Sequence, residues 1–367
     1  MFRRAQILAL TYAILLCPLS AWAWGSHGHE IIAVIAADNL TPAAQSHIAS
    51  ILGVSDNKRA IASAMEAASI RPDTEFRDQD RATEPWHFID ICLQDARTDV
   101  PARCPRGDCV TAKIDEYSRR LKIGKYDRWG AAGDLAFLIH FVGDVHQPLH
   151  ASNNADRGGN CVPVESRSRE TNLHATWDTT VVRHLEYSID SGRPETTAHK
   201  LERTYAPEQS ADKWIPADDI AWESHQLARS DVYDALRIPL ERCTPAVNLC
   251  LNPVGHAVEL DSHYMENADA IAGHQLAKAG FRLASLLNAT WTAPVGHNDA
   301  PSATNSVPSQ ASSSQPDPGP IVGNRRSKIY AWPGCGTYDK MAPENRVVFS
   351  TRKAAEQLGY RAARNCR

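Results

Sequence analysis

His140-Phe-Val-Gly-Asp144-Val-His-Gln-Pro-Leu-His150 is the stretch whose reading decides the fold. The residues leading into it, Ala131 to Val145, are strongly apolar and predict a helix that ends before Pro148. His140 and Asp144 stand four apart, so both point from one face of that helix. An imidazole nitrogen and a carboxylate oxygen at this spacing form a pincer for Zn²⁺. Pro148 breaks the helix and lets His150 turn back towards the same place. Taken alone, a His-x3-Asp pair is more often an ordinary surface or core pair.

The pair does not stand alone. His174-Ala-Thr-Trp-Asp178 repeats the spacing after a glycine-rich turn, Gly158-Gly159-Asn160. His87, in Trp86-His87-Phe88-Ile89-Asp90, adds a third imidazole next to a carboxylate. Together these donors exceed what one zinc needs, which predicts a multinuclear site.

The N-terminus adds a different kind of donor. Arg3 and Arg4, the apolar run Ile7 to Leu16 and the small-x-small ending Ser20-Ala21-Trp22-Ala23 read as a secretory signal over residues 1–23. Cleavage after Ala23 would expose Trp24-Gly-Ser-His-Gly-His29. An α-amine has a pKa near ~8, so metal readily displaces its proton. The Trp24 nitrogen and carbonyl oxygen could then chelate a metal, with His29 completing the grip. The alternative is that Trp24 is merely the first core residue. The apolar run is too short to cross a bilayer, and nothing later spans one. The expectation is a protein that is secreted or periplasmic.

Removing the signal shifts the formal charge from −4 to −6. A mildly acidic chain cannot hold duplex DNA by phosphate neutralisation alone. For a polyanionic substrate the positive charge must be local, and bound metal is a source. Eight cysteines remain after cleavage: Cys92, Cys104, Cys109, Cys161, Cys243, Cys250, Cys335 and Cys366. An even count in an oxidising compartment reads as disulfides. Cys104 and Cys109 flank a short Pro-Arg-Gly-Asp loop and form a local candidate pair.

Residues 24–292 read as helical throughout, without convincing alternating strands. Thr41-Pro42 is a cap followed by a favourable first helical residue; Glu223 to Leu236 and Gln275 to Leu287 read as amphipathic helices. Residues 293–324 are Ser/Pro-rich and predict a linker. Residues 325–367 form a small α+β module with the last two cysteines. The fold class is therefore all-α, a compact multi-helix zinc-cluster domain followed by the linker and module.

Trp24-x4-His29, Asp73, Trp86 to Asp90, His140 to His150, Gly158-Gly159-Asn160 and His174-x3-Asp178 together resemble the single-strand-specific zinc nucleases of fungi and plants (S1/P1 type), which are distantly related to bacterial zinc phospholipase C. Order and spacing agree across about 270 residues. The resemblance implies three zinc ions per chain. One would take Asp73, His87, His140 and Asp144; a second the Trp24 amine and carbonyl, His29 and again Asp144; the third His150, His174 and Asp178. In place of the family's usual aromatic residue shortly before the first aspartate, this chain reads Ile70-Arg71-Pro72-Asp73, and Asp78 and Asp80 lie close by. The resemblance also joins Cys92 to a distant cysteine in the 243–250 region.

Activity follows from the same resemblance: hydrolysis of single-stranded DNA and RNA to 5′-phosphorylated products, with 3′-nucleotidase action on nucleotides; a monomer is a separate expectation. Asp90 would accept or orient the proton of the attacking water, and Phe88 would stack a base unless it is a core phenylalanine. A zinc phospholipase C is the alternative, but those enzymes place Glu where this chain has Asp178. A further alternative makes the tail a targeting or binding module. Tyr330 to Tyr338, Asn345 to Phe349 and Gly359-Tyr360-x5-Cys366 resemble the metal-binding domain of the Ada DNA-repair protein. Only two of that domain's cysteines are present, which favours a Cys335–Cys366 disulfide. The basic residues Arg325, Arg326, Lys328, Arg352 and Lys353 could contact phosphate or an envelope surface, or form a solvated face.

Overall fold

The computed structural model describes residues 24–291 except 167–168, 190–191, 210–211 and 244–249. In the tail it describes 321–324, 327–333, 335, 338, 345–349, 352, 355, 360–363 and 366. The signal and most of the linker read from the sequence lie outside these residues. The chain divides into two compact units, Met1–Gly296 and His297–Arg367.

The first unit is built from α1 (Gly25–Asp38), α2 (Pro42–Leu52), α3 (Lys58–Ser69), α4 (Val110–Ile123), α5 (Gly130–Asp144), α6 (Val182–Ile189), α7 (Pro194–Tyr205), α8 (Ala217–Leu227) and α9 (Ser262–Thr290). Shorter helical turns join them. Local chemistry sets the ends. The Thr41 hydroxyl accepts the Ala44 N–H, Asn57 accepts that of Ala60, and Asp261 accepts that of Tyr264. α2 stops at Gly53, which takes a left-handed φ of 68°.

α1 packs against α3, α7 and α9, while α5 packs against α3 and α4. Both central helices are apolar nearly all round, which suits a position inside the bundle. Ile31, Ile32 and Ile35 of α1 are fully buried, and each such side chain stabilises the fold by roughly 1.5–3 kcal/mol. From Gly133 to Asp144 every residue of α5 is buried. The His140–Asp144 pair therefore sits on the best-supported helix of the core.

Two expectations need correction. Glu223 to Leu236 is not one α-helix: α8 ends at Leu227 and a π-helical turn, Ala228–Asp234, follows. The helical unit also contains a small sheet, β1 (Pro163–Ser166), β2 (Arg169–Asn172) and β3 (Val258–Glu259), in the order β2-β1-β3. Strands of two to four residues are too short to leave an alternating pattern. Among the described residues, no helix is long and apolar enough to cross a membrane.

The second unit carries a four-stranded sheet, β4 (Ile321–Asn324), β5 (Ile329–Ala331), β6 (Arg346–Phe349) and β7 (Arg361–Ala362), in the order β6-β4-β5-β7. β4 falls inside the stretch read as linker. Its buried Ile321 and Val322 directly follow the prolines, and two apolar residues do not change a composition. Ile321, Tyr330, Ala355 and Tyr360 form one small core of this unit.

Disulfides join Cys92 to Cys243, Cys104 to Cys109, Cys161 to Cys250, and Cys335 to Cys366. They resolve the pairings that the sequence left open, and mark a chain matured in oxidising surroundings.

Candidate metal centre

The last turn of α5 aims His140 and Asp144 into the middle of the bundle, where both are fully buried. The chain then tightens through Pro148–Ala151, a 3₁₀ turn, and returns His150 beside them. The segment after His87 runs alongside: the Ile89 N–H donates to the His150 carbonyl at 2.8 Å, and His150 Nδ1 donates to the His87 carbonyl at 2.8 Å. Each of these two histidines thus fixes the other.

Asp144 divides its two oxygens. Oδ1 lies 3.3 Å from His29 Nε2 and 3.8 Å from His150 Nδ1. Oδ2 lies 3.1 Å from His87 Nδ1 and 3.4 Å from His140 Nε2. Asp73 closes one side, 3.7 Å from both His87 Nδ1 and His140 Nε2. Asp78 and Asp80, its neighbours in sequence, are outside this set; Asp80 pairs with Arg128 instead. On the other side Asp178 Oδ2 lies 3.3 Å from His174 Nε2, and Asp178 Oδ1 3.7 Å from His150 Nε2.

Among the described residues, three groups have donor atoms close enough to share an ion: His29, Asp73 and His140; His87, His140 and Asp144; and His150, His174 and Asp178. The last coincides with one expected ligand set. The second lies wholly within another expected set, that of Asp73, His87, His140 and Asp144; only the first mixes sets, bringing His29 together with Asp73 and His140. Trp24 caps the start of α1 with a fully buried side chain, and its carbonyl accepts the Gly28 N–H at 3.1 Å.

Backbone carbonyls orient the rings. His140 Nδ1 donates to Ser69, His174 Nδ1 to Gly158, and His150 Nδ1 to His87. That leaves each Nε2 as a lone pair facing the cluster, the tautomer a metal requires. Gly143 makes room: a Cβ there would stand 2.8 Å from His29 Nδ1. Gly158 has φ 62°, and a Cβ would strike the Leu149 carbonyl at 2.7 Å. Sequence reasoning also passed over Gln147, whose Nε2 donates to Asp178 Oδ1 at 2.6 Å. Its only signal was a place inside the deciding motif. His146, in the same motif, turns away and donates to the Val142 carbonyl.

Burial drives the site's electrostatics. Desolvation, reinforced by neighbouring imidazoles, pushes His29 and His87 well below the ordinary histidine range. Burial also takes His140 down to about 3. It pushes Asp73 up to about 7, and raises Asp144 with help from Asp73 and Asp178. The ring nitrogens of His29, Nε2 of His87 and His150, Asp144 Oδ1 and Asp178 Oδ2 are buried without a hydrogen-bond partner. Leaving such groups unmet costs about 1–3 kcal/mol each. Cations held by the separate groups would meet His29 Nε2, His150 Nε2 and the two carboxylate oxygens, and a donor set made only of nitrogen and oxygen fits zinc.

Asp90 and Phe88 stand outside the donor groups, in an adjoining groove of about 490 Å³ lined also by Pro85, Arg103, Arg106 and the Cys104–Cys109 bridge. Asn153 donates to Asp90 Oδ1 at 2.9 Å. Burial raises the Asp90 carboxyl above its usual range, partly opposed by that hydrogen bond. Phe88 is 38 % exposed, so it is not a core phenylalanine.

A helical bundle gathering five buried imidazoles and three buried carboxylates defines a metallohydrolase scaffold with a multinuclear centre. Residues 24–292 match the S1/P1 Nuclease family, and the chain belongs to that family, whose members are zinc-dependent nucleases. It is 27 % identical to Endonuclease 2 of Arabidopsis thaliana over 77 % of this chain and 95 % of that protein. It is likewise 27 % identical to Nuclease S1 of Aspergillus oryzae (77 % and 97 %), and 25 % identical to Nuclease P1 of Penicillium citrinum (72 % and 97 %). Residues 310–367 separately match the metal-binding domain of Ada.

Proposed function

We propose that the chain is a zinc-dependent endonuclease that hydrolyses phosphodiester bonds of single-stranded DNA and RNA to 5′-phosphorylated products, with 3′-nucleotidase activity, acting as a secreted or periplasmic monomer. The divided contacts of Asp144 carry this reading. A carboxylate whose two oxygens face different imidazole sets is suited to join neighbouring cations. On this reading Asp73, His87, His140 and Asp144 hold one zinc, Trp24, His29 and Asp144 a second, and His150, His174 and Asp178 a third.

Zinc held there supplies positive charge that favours deprotonation of water and neutralises phosphate oxygens. The protein's own groups do the rest. Asp90, steadied by Asn153, accepts or orients the proton of the attacking water from the side of the groove. Phe88 offers an aromatic face on the same groove, and a base reaches such a face only when it is free of a duplex. The carbonyls of Ser69, Gly158 and His87 keep the rings turned inward through turnover.

The test is an assay of the processed protein on single-stranded DNA, RNA and phosphatidylcholine side by side, with zinc counted per chain. Cleavage of the nucleic acids alone, with three zinc ions bound, supports the proposal. Hydrolysis of phosphatidylcholine alone would make it a phospholipase C.

A further inference from the structure

Charge is divided unevenly along the chain. Residues 24–291 hold 27 Lys and Arg against 38 Asp and Glu, whereas residues 321–367 hold ten against three. Three zinc ions would still leave the helical unit net negative. A polyanionic strand is thus repelled at long range by the unit that cleaves it and attracted by the other.

Strand pairing shows where the tail's cations gather. Asn324 pairs with both Ile329 and Arg346, and Ile329 pairs with Arg361. Arg346, Asn324, Ile329 and Arg361 therefore form one row across all four strands. Lys328 adjoins the row: its N–H donates to the Asn324 carbonyl at 2.9 Å, and its own carbonyl accepts the Arg361 N–H at 2.8 Å. Among the described residues, Arg346, Arg361 and Lys328 thus belong to this row or adjoin it. Lys328, Ile329 and Arg361 are all exposed, and Ile329 stands beside Arg361 across the strand pair. Lys328 Nζ lies 4.5 Å from the centre of the Tyr360 ring.

The metal that the Ada likeness implies does not fit. Residues 310–367 contain no histidine and two cysteines, and those two are bonded to each other. A metal-binding cysteine must be a free thiolate. Charge is what the module has left to bind with.

We propose that this end of the tail sheet is a capture site for the phosphodiester backbone of single-stranded nucleic acid, which the zinc-bearing unit of the same chain then cleaves. The inference rests on the nuclease reading for the identity of the polyanion. Lys328 and Arg361 neutralise phosphates, and Ile329 meets a base beside Arg361. Two sites on one chain turn the second encounter into an intramolecular one, so a weak capture site lowers KM on long strands without altering the chemistry.

The experiment uses the full-length, zinc-loaded protein and a phosphorothioate DNA single strand of about 30 nucleotides, long enough for several phosphate contacts. Lys328→Glu with Arg361→Glu should weaken Kd about tenfold at low salt and make the dependence of log Kd on log salt shallower by roughly 1.4, two phosphate contacts' worth. Turnover of a dinucleotide should stay unchanged, and the charge-keeping pair Lys328→Arg with Arg361→Lys should bind like the parent. Should the reversed pair fail to form its Cys335–Cys366 bond, the neutral pair Lys328→Gln with Arg361→Gln should still show about a threefold loss. An unchanged Kd and salt slope in a folded variant overturns the proposal. So does a loss confined to phosphatidylglycerol vesicles, which would make the tail an envelope anchor. A chain that binds the strand through these cations yet cleaves none sinks the nuclease reading and leaves the capture site standing.

Discussion

Gln147 donates from Nε2 to Oδ1 of Asp178 across 2.6 Å, while its own carbonyl oxygen accepts the Leu149 N–H at 2.5 Å. One amide thereby ties the turn after α5 to the carboxylate of the His150–His174–Asp178 group. Groups that orient metal ligands typically govern 10–100-fold in affinity. Gln147→Ala should therefore retain the fold but release one zinc per chain to a competing chelator at roughly ten times lower chelator concentration, read by metal analysis after dialysis.

Asp144 and Asp90 are expected to fail in different ways. Asp144→Asn should lose zinc and activity together, because one carboxylate serves two sets of imidazoles. Asp90→Asn should keep its zinc while kcat falls by about 10²–10⁴, the usual weight of a general base. Zinc lost from Asp90→Asn would show that the assigned role is wrong.

Gly143 is a steric requirement of the site. A methyl group there would stand 2.8 Å from His29 Nδ1 and 3.2 Å from Ile32 Cδ1. Gly143→Ala should destabilise the protein by about 1–3 kcal/mol, as overpacking does, even though alanine is the better helix former. Urea unfolding with zinc bound measures it, and a stability equal to the parent's would mean that His29 gives way freely.

Acid should expose a charge network outside the donor groups, behind the turn that carries His146. Arg282 and Lys278 hold Glu223 at about 2 against the opposing effect of burial. A carboxyl depressed in the folded state contributes stability above its unfolded value, near 4.5, and loses it as pH falls towards 2. The Tm gap between the parent and Glu223→Gln should thus be full above pH 4.5 and close as pH approaches 2. A gap that stays constant over this range would remove Glu223 from the network.

Repeated spacing pointed to His140 with Asp144 and His174 with Asp178 as candidate donors, whereas Asp73 came only from the family resemblance. The geometry behind the second pair was not legible. Asp178 lies in a π-helical turn, Thr176–Val181, and Asp73 in another, Pro72–Phe76. One wider turn leaves no trace in apolar periodicity, although such turns often mark functional sites. The carbonyls of Ser69, Gly158 and His87 were beyond reach for a simpler reason. Every residue carries a carbonyl, and only the fold decides which three meet a histidine. Gly143 and Gln147 sat in plain view inside the deciding motif, but their purpose depends on His29 and Asp178, more than thirty positions away in the chain for each partner.

The bridges Cys92–Cys243 and Cys161–Cys250 span separations of 151 and 89 residues, so neither can close until nearly all of the helical unit has been synthesised. Losing a native disulfide commonly costs about 2–5 kcal/mol, a large share of what keeps a protein folded. A copy stranded among reducing thiols would be left without these fastenings. Full stability is therefore reached only where thiols can pair.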